Sequence, residues 1–490
     1  MKLSDLLKAT PHIAVRGDAD RTVAGIACDS RQVRPDFLFV AIPGVQCDGL
    51  QFVDEAIKRG AGVIVTPQVR FAVRDATYVQ VENTRRAVAE LADAFYRHPS
   101  GKLVLAGVTG TNGKTTTTFQ LHDILTAAGL TPGLIGTVHY EVGARVIPAS
   151  RTTPQAVELQ ALFDQMWHAG CKSAVMEVSS HALDQDRVTG CEFDAAVFTN
   201  LTQDHLDYHQ TLERYFEAKR RLFRQLGRQV KAATAVINAD DPWGLRLASD
   251  PEIRARVLTF GCGEGVEVRA CDIATGPKGS EFRVVGPWGE TRIRLALLGH
   301  FNVMNALGAY ATARALGIDD RQVVDALAAR RTVPGRLEEV PTRRGWRVFV
   351  DYAHTDDALA NVLRTVRELE PARLIVVFGC GGNRDQSKRP LMGAAAATLA
   401  DYTILTSDNP RREEPRAIIS QLEAGFGGCR AYEVVEDRVQ AIETALRFAR
   451  EGDIVLIAGK GHETTQEFAN TIVPFDDRQV VRTILQSLAP

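Results

Sequence analysis

The chain has 490 residues, 45% hydrophobic and 24% charged, with a formal net charge of −2. The length suggests about three domains, and the near-neutral charge argues against a general nucleic-acid binder, which would be basic. No apolar run reaches the ~18 residues of a membrane span, an acid at Asp5 interrupts any signal peptide, and eight scattered cysteines without a C-x-x-C pair fit reduced thiols in a cytoplasmic protein.

Residues 1–100 alternate β-rich runs (Asp36 to Ile42, Gly62 to Val65, Ala76 to Val81) with helical patterns near 51–60 and 84–97. This predicts a small α/β domain, closed by the linker His98-Pro99-Ser100-Gly101. A second domain, 101–333, opens on the apolar run Leu103 to Ala106. The segment Gly107-Val108-Thr109-Gly110-Thr111-Asn112-Gly113-Lys114-Thr115-Thr116 follows, and then Phe119, Leu121, Ile124 and Leu125 at helical spacing up to Gly129. A glycine-rich turn between a strand and a helix binds phosphate through free N–H groups and the helix N-terminus. Gly110, Thr111, Asn112, Gly113 and Thr116 build the cradle, Lys114 reaches the outer phosphates, and Thr115 offers a hydroxyl to Mg²⁺. The commonest loop of this kind would have Gly where Val108 stands.

The runs Ser173 to Val178, Ala195 to Phe198 and Ala235 to Ile237 read as parallel core strands. The stretch 253–298 reads as an antiparallel edge, and Gly299 to Leu316 as a helix with Asn302 and Asn305 on its early turns. Val333-Pro334-Gly335-Arg336 marks the second boundary. In the third domain, 334–490, four apolar runs (Arg347 to Val350, Leu374 to Phe378, Tyr402 to Leu405, Ile454 to Ile457) alternate with helices in a doubly wound, Rossmann-like pattern. Each run ends in a polar cluster: Asp351 to His354, Gly381 to Asp385, Ser407 to Arg411, Gly459 to Glu463. Ligands in open α/β sheets bind at the carboxyl ends of the strands, so four polar ends on one edge predict a site.

Glu177 ends a strand in the phosphate-loop domain, where a carboxylate serves as a Mg²⁺ ligand. His181 follows it. His205 also follows a strand; it either ligates a metal or caps a helix, and the sequence leaves both open. Lys219 lies in a helical stretch and on spacing alone is a surface lysine. Only 11 of the 58 basic residues are lysine, so a retained amine hints at amine chemistry that guanidinium cannot perform. Arg384, Arg411 and Glu463 fall on three loop ends. Arginine grips carboxylates in a bidentate fashion and Glu463 can accept from an ammonium group, a pairing suited to an amino acid.

Together these segments resemble the Mur ligase family of peptidoglycan synthesis over nearly the whole chain. The resemblance rests on the phosphate loop, Glu177-Val178-Ser179-Ser180-His181, the Asn302/Asn305 helix, Pro334-Gly335-Arg336 and Asp351-Tyr352-Ala353-His354. It implies three α/β domains: a UDP-substrate domain, a central ATP-binding domain and an amino-acid-binding domain. It also implies an ATP-dependent ligase in cell-wall assembly, hence in cell shape and division; the charge and the apolar runs add the expectation of no nucleic-acid partner and no membrane insertion, and a monomer is expected. Asp408-Asn409-Pro410-Arg411 matches the members that add meso-2,6-diaminopimelate to UDP-N-acetylmuramoyl-L-alanyl-D-glutamate. Lysine-adding relatives lack that Arg, which pairs with a second carboxylate absent from lysine.

By resemblance, Gly110 to Thr116, Asn302 and Asn305 hold ATP, and Thr115, Glu177 and His205 hold Mg²⁺. Lys219 matches the lysine carbamylated by CO₂ (N6-carboxylysine), whose anion binds a second Mg²⁺. Cys28, Ser30, Val45, Gln46 and Cys47 match uridine-nucleotide contacts. Thr152, Thr153, Ser179, Gln185 and Arg187 match contacts to the muramoyl-dipeptide. Arg384, Asp408 to Arg411, Gly459 and Glu463 match the diaminopimelate site. One departure is Asp356, where the family usually has Pro, which is expected to alter the turn after His354.

Overall fold

The structure, a computed structural model, describes residues 1–44, 48–68 and 76–488. Val45, Gln46 and Cys47 lie outside the described residues. The chain builds three mixed α/β units, each around its own sheet.

The first sheet has five strands in the order Ala14–Arg16, Thr77–Gln80, Ala61–Thr66, Phe37–Val40, Gly25–Ala27. Only the first pair is antiparallel. Its helix Thr84–Phe95 is capped by Asn83, whose side chain accepts from the N–H groups of Arg85 and Arg86. Ala156, in the central unit, packs into the core of this first sheet.

The central sheet has 11 strands. Seven run parallel in the order Val268–Gly276, Arg256–Gly261, Thr234–Asn238, Ala195–Phe198, Val104–Thr109, Ser173–Glu177, Pro132–Ile135. Val104–Thr109 lies in the middle, between two strands that follow it in sequence on opposite sides. This is the switch point where open α/β sheets hold ligands. Its helix, Lys114–Ala127, buries Thr115 to Leu121 continuously, because strands flank it below and the helix His300–Ala315 covers it.

The stretch 253–298 is only partly the antiparallel edge its pattern suggests. Arg256–Gly261 joins the parallel set, since the helix Pro242–Ala248 supplies the crossover that parallel pairing needs. Val268–Gly276 also pairs parallel with Arg256–Gly261, and the antiparallel part is its pairing with Gly279–Gly286 and that of Gly279–Gly286 with Gly289–Leu295. A second antiparallel edge, His139–Val142 with Arg145–Pro148, carries no clear sequence signal.

The third sheet orders Glu338–Val340, Arg347–Asp351, Ile454–Ala458, Leu374–Phe378, Tyr402–Leu405 and Tyr432–Val434, all parallel except the first. Beneath its carboxyl edge lies a fully buried pair: Arg438 Nε and Nη2 donate to the two Asp477 oxygens at 2.9 and 2.8 Å. Arg438 also donates to the Ser407 and Ala458 carbonyls, so one guanidinium ties two loop-bearing strand ends together. Leu298 and Phe301 of the central unit pack into the core of the third.

Candidate active site

The phosphate loop is built as the sequence demands. Gly110 has φ +149° and Gly113 φ +87°. A Cβ on Gly110 would lie 1.9 Å from Thr199 Oγ1, and one on Gly113 2.2 Å from Asn305 Oδ1. Only glycine fits either place. Lys114 Nζ donates to the Gly110 and Thr111 carbonyls at 3.0 and 2.8 Å. Burial pulls its proton affinity down, against the pull of Glu177 and Asp204.

Glu177, 1% exposed, accepts from Thr115 Oγ1 at 3.1 Å, from Thr137 Oγ1 at 3.0 Å and from Thr137 N–H at 2.8 Å. Thr115 Oγ1 in turn accepts from Arg336 Nη2 of the third unit at 2.9 Å. A carboxylate and a hydroxyl converging at the foot of a phosphate loop form an oxygen donor set suited to Mg²⁺.

Lys219 is not the surface lysine its spacing suggests. It is 1% exposed, donates to the Gly110 carbonyl at 2.8 Å and stands 4.5 Å over the Tyr215 ring. Burial, then repulsion from Lys114, lowers its pKa well below the usual lysine value, with Asp204 opposing. Burial that weakens a lysine's hold on its proton brings it closer to the neutral amine that reacts with CO₂.

His205 occupies the N-cap position of the helix Leu206–His209 with φ +56°, yet its side chain makes no capping bond. Its ring lies 4.9 Å from His181 and 6.0 Å from Tyr215. Burial pushes its pKa down to about 3, against Asp204. The ring is therefore neutral, with a lone pair able to meet a cation. Asn302 Nδ2 donates to the Leu298 carbonyl and Asn305 Nδ2 to Asn302 Oδ1, which aims Asn305 at the loop. Lys114, Glu177, His205, Lys219, Asn305 and Arg336 all face one cleft of about 540 Å³.

His209 and His354 carry a pH consequence. Burial lowers both to about 4 from the ordinary 6.5. The fold keeps these rings neutral, so the unfolded chain takes up protons first as pH falls. Thermal stability is full above pH 6.5, declines between 6.5 and about 4, and gains no further loss from these rings below that. In a melting series across this window, His209→Gln flattens the decline; an unchanged slope contradicts the assignment.

The muramoyl-dipeptide candidates form one cluster. Thr153 Oγ1 donates to the Glu177 carbonyl and accepts from Ser179 N–H. Arg187 donates to the Thr153 carbonyl and to Gln185 Oε1, and Thr152 pairs with Thr137. Arg187 Nε is buried without a partner. Burial, Arg151 and Arg85 lower the Arg187 pKa to about 10, the mark of a cationic group lacking its anion. In the first unit Cys28 is exposed and Ser30 Oγ donates to Glu55 Oε2 at 3.0 Å. Asn83 donates to Asp186 Oδ2 at 3.3 Å across the junction.

On the third sheet's edge, Asp408 Oδ2 is buried without a partner and faces Gly459, where a Cβ would lie 2.6 Å away. Asn409 Nδ2 donates to Glu463 Oε2, and Lys460 Nζ donates to both Asn409 Oδ1 and Glu463 Oε2. Pro410 leads into Arg411, which has φ +53°. Arg411 Nε donates to Glu467 Oε2 and Nη1 to the Gly382 carbonyl, both at 2.8 Å. Arg384 lies at the open side of this group: it is exposed, its Nη1 bonds the neighbouring Asn383 carbonyl, and a Cβ on Gly381 would lie 3.9 Å from its Cγ and 3.1 Å from Arg411 Nη1.

The sequence reading left out several residues that the fold places in the site. Arg336 bonds Thr115 and lies 4.5 Å over the Tyr352 ring. Asp357 Oδ2 accepts from Asn112 Nδ2 at 2.9 Å. Asp204, 6% exposed, faces His354 and Lys388 at 3.9 Å each. An Arg held in a Pro-Gly turn between two domains was the available signal for Arg336; Asp204 had none. Asp356 starts the helix Asp356–Arg367, which Thr355 caps through Ala358 N–H. An acid at this position complements the helix N-terminus.

A phosphate loop at a switch point, a buried amine and a third unit closing over both define a nucleotide-using enzyme assembled from three parts. Comparison with known proteins agrees. Residues 22–96 match the Mur ligase family catalytic domain, 108–313 the Mur ligase middle domain and 335–461 the Mur ligase glutamate ligase domain. The chain belongs to the Mur ligase family and is a ligase. It is 44% identical over 486 residues to the UDP-N-acetylmuramoyl-L-alanyl-D-glutamate–2,6-diaminopimelate ligase of Caldanaerobacter subterraneus subsp. tengcongensis, covering 99% of each chain. It is 45% identical over 490 residues to the enzyme of that name from Geobacillus kaustophilus, again covering 99% of each. A solved structure of a ligase with that name superposes with a TM-score of 0.70 at 32% identity, covering 99% of both chains.

Proposed function

We propose that this ligase joins meso-2,6-diaminopimelate to the D-glutamate of UDP-N-acetylmuramoyl-L-alanyl-D-glutamate, using ATP, in the cytoplasm and as a monomer. The reading divides the chain into a UDP-substrate domain (1–100), an ATP-binding domain (101–333) and an amino-acid domain (334–490). The observation that carries it is one cleft in which Lys114, Glu177 and Lys219 of the central unit meet Arg336 of the third.

ATP lies with its phosphates on Gly110 to Thr116 and its base end toward Asn302 and Asn305. The γ-phosphoryl passes to the substrate carboxylate, giving an acyl phosphate that the amine then attacks. Lys114 and Arg336 place positive charge beside the transferring group without reorganisation. Thr115, Glu177 and His205 would hold Mg²⁺, which supplies charge neutralisation on the phosphates when bound. Lys219 fits carbamylation: its amine is buried and poor in proton affinity, and the carbamate would offer an anion to a second Mg²⁺. Arg187 awaits an anionic part of the UDP-linked substrate. Arg411 meets the distal carboxylate of diaminopimelate, while Asp408, Asn409, Gly459 and Glu463 receive its amino-acid end.

The test is ADP release with both substrates present. Lys114→Ala lowers turnover on the order of 10²- to 10³-fold, the scale for losing one preorganised charge at a developing anion. Near-normal turnover rejects this placement of ATP.

A further inference from the structure

His462 stands where the central unit's carboxylate-handling residues meet the third unit's amino-acid residues. It directly precedes Glu463. Its backbone is locked against the second domain boundary: a Cβ on Gly335 (φ +64°) would lie 2.1 Å from His462 N, and one on Gly461 (φ +52°) 2.7 Å from Tyr352 Cβ. Two left-handed glycines therefore let the Pro334-Gly335-Arg336 turn and the Lys460-Gly461-His462 turn nest together. The imidazole is set 5.0 Å from the Tyr352 ring, the same ring that carries Arg336.

The Thr137 backbone of the central unit lies close enough to the ring to favour its protonated form. Thr137 is the residue that bonds Glu177 and Thr152. His462 Nδ1 is shut off from solvent and has no partner, which leaves it an open acceptor in the tautomer that carries its proton on Nε2. A buried polar atom left unpaired between two substrate sites calls for a ligand donor. Burial, then Arg336 and Arg478, push the ring down to about 3, with Asp476 opposing. Nδ1 therefore keeps its lone pair at working pH.

We propose that His462 receives the attacking amine: Nδ1 accepts one amine N–H and aims the nitrogen lone pair at the acyl carbon. This rests on the ligase reading above. In the step, the C–N bond forms and the C–O bond to the phosphate breaks. The phosphate leaves with the electron pair and takes the proton that the amine sheds.

The experiment compares wild type, His462→Ala and His462→Asn in two assays on the UDP-linked dipeptide with ATP. One assay measures kcat and KM for diaminopimelate. The other replaces it with hydroxylamine, a small neutral nucleophile that traps the acyl phosphate as a hydroxamate without being oriented. His462→Ala lowers kcat with diaminopimelate roughly 10- to 100-fold, the scale of one lost hydrogen bond with its orientation. KM changes little, because Arg411 and Glu463 still grip the amino acid, and hydroxamate forms at the wild-type rate. His462→Asn, whose amide oxygen stands near the Nδ1 position, recovers most of kcat. An unchanged kcat in His462→Ala, a parallel fall in hydroxamate, or an Asn variant as slow as Ala overturns the role. A wild-type enzyme silent in both assays sinks the ligase reading itself, and this role with it.

Discussion

Lys219→Ala abolishes ligation, and added formate or acetate restores part of it. Nothing in the side chain's surroundings explains a lysine on packing grounds. The ammonium would be enclosed with Lys114 nearby, with the Gly110 carbonyl as its hydrogen-bond acceptor among the described residues, and both burial and that neighbour disfavour the charged form. An apolar residue would cost less there. The cost is accounted for when the amine carries a carboxylate: the group becomes an anion, its repulsion with Lys114 becomes attraction, and a cation beside the phosphates gains a ligand. The expected loss is on the order of 10³-fold or more, the scale at which one charge acts on a transferring phosphoryl group. A free carboxylate in the emptied space supplies the same anion. Rescue that depends on carboxylate concentration supports the carbamate; full activity without it contradicts the role.

The second large effect is one of specificity. Arg411→Ala lowers kcat/KM for diaminopimelate on the order of 10²-fold, the cost of truncating one member of a hydrogen-bonded charge pair, while activity with lysine changes only a few-fold. Two of the guanidinium's donors are already spent on Glu467 and the Gly382 carbonyl. These bonds fix the plane of the fork and leave its remaining N–H groups for a ligand carboxylate. The left-handed backbone at Arg411 adds to this arrangement, since strain of that kind persists where surrounding structure holds it in place. Equal losses with both amino acids would mean that Arg411 supports the loop rather than reading the substrate.

Much of this was legible in the chain. The phosphate loop declared itself through glycines whose Cβ positions are occupied, and the parallel strands through unbroken apolar runs buried on both faces. The strand-end clusters of the third domain followed from the rule that ligands gather at carboxyl ends. What stayed hidden has physical causes. Strands of three or four residues, such as Glu338–Val340 and Tyr432–Val434, are too short to show a period. Arg256–Gly261 was misassigned because direction depends on the crossover helix, not on the strand's own residues. Lys219 looked exposed because a helix pattern cannot report a cover supplied by the loop 109 residues earlier. Arg384 was grouped with Arg411 on loop position and on the family resemblance, and its side chain is exposed. Arg336 and Asp204 make their contacts across domain junctions, and a junction leaves no local periodicity.

The central claim is that this cleft activates a carboxylate with ATP and delivers it to an amine bearing a second carboxylate. Phosphate release, with the UDP-linked dipeptide and either meso-2,6-diaminopimelate or lysine offered in turn, tests it most directly. The account predicts ADP and phosphate in step with product when diaminopimelate is present, and little turnover with lysine. Equal turnover with lysine, or none with either amino acid, would contradict it.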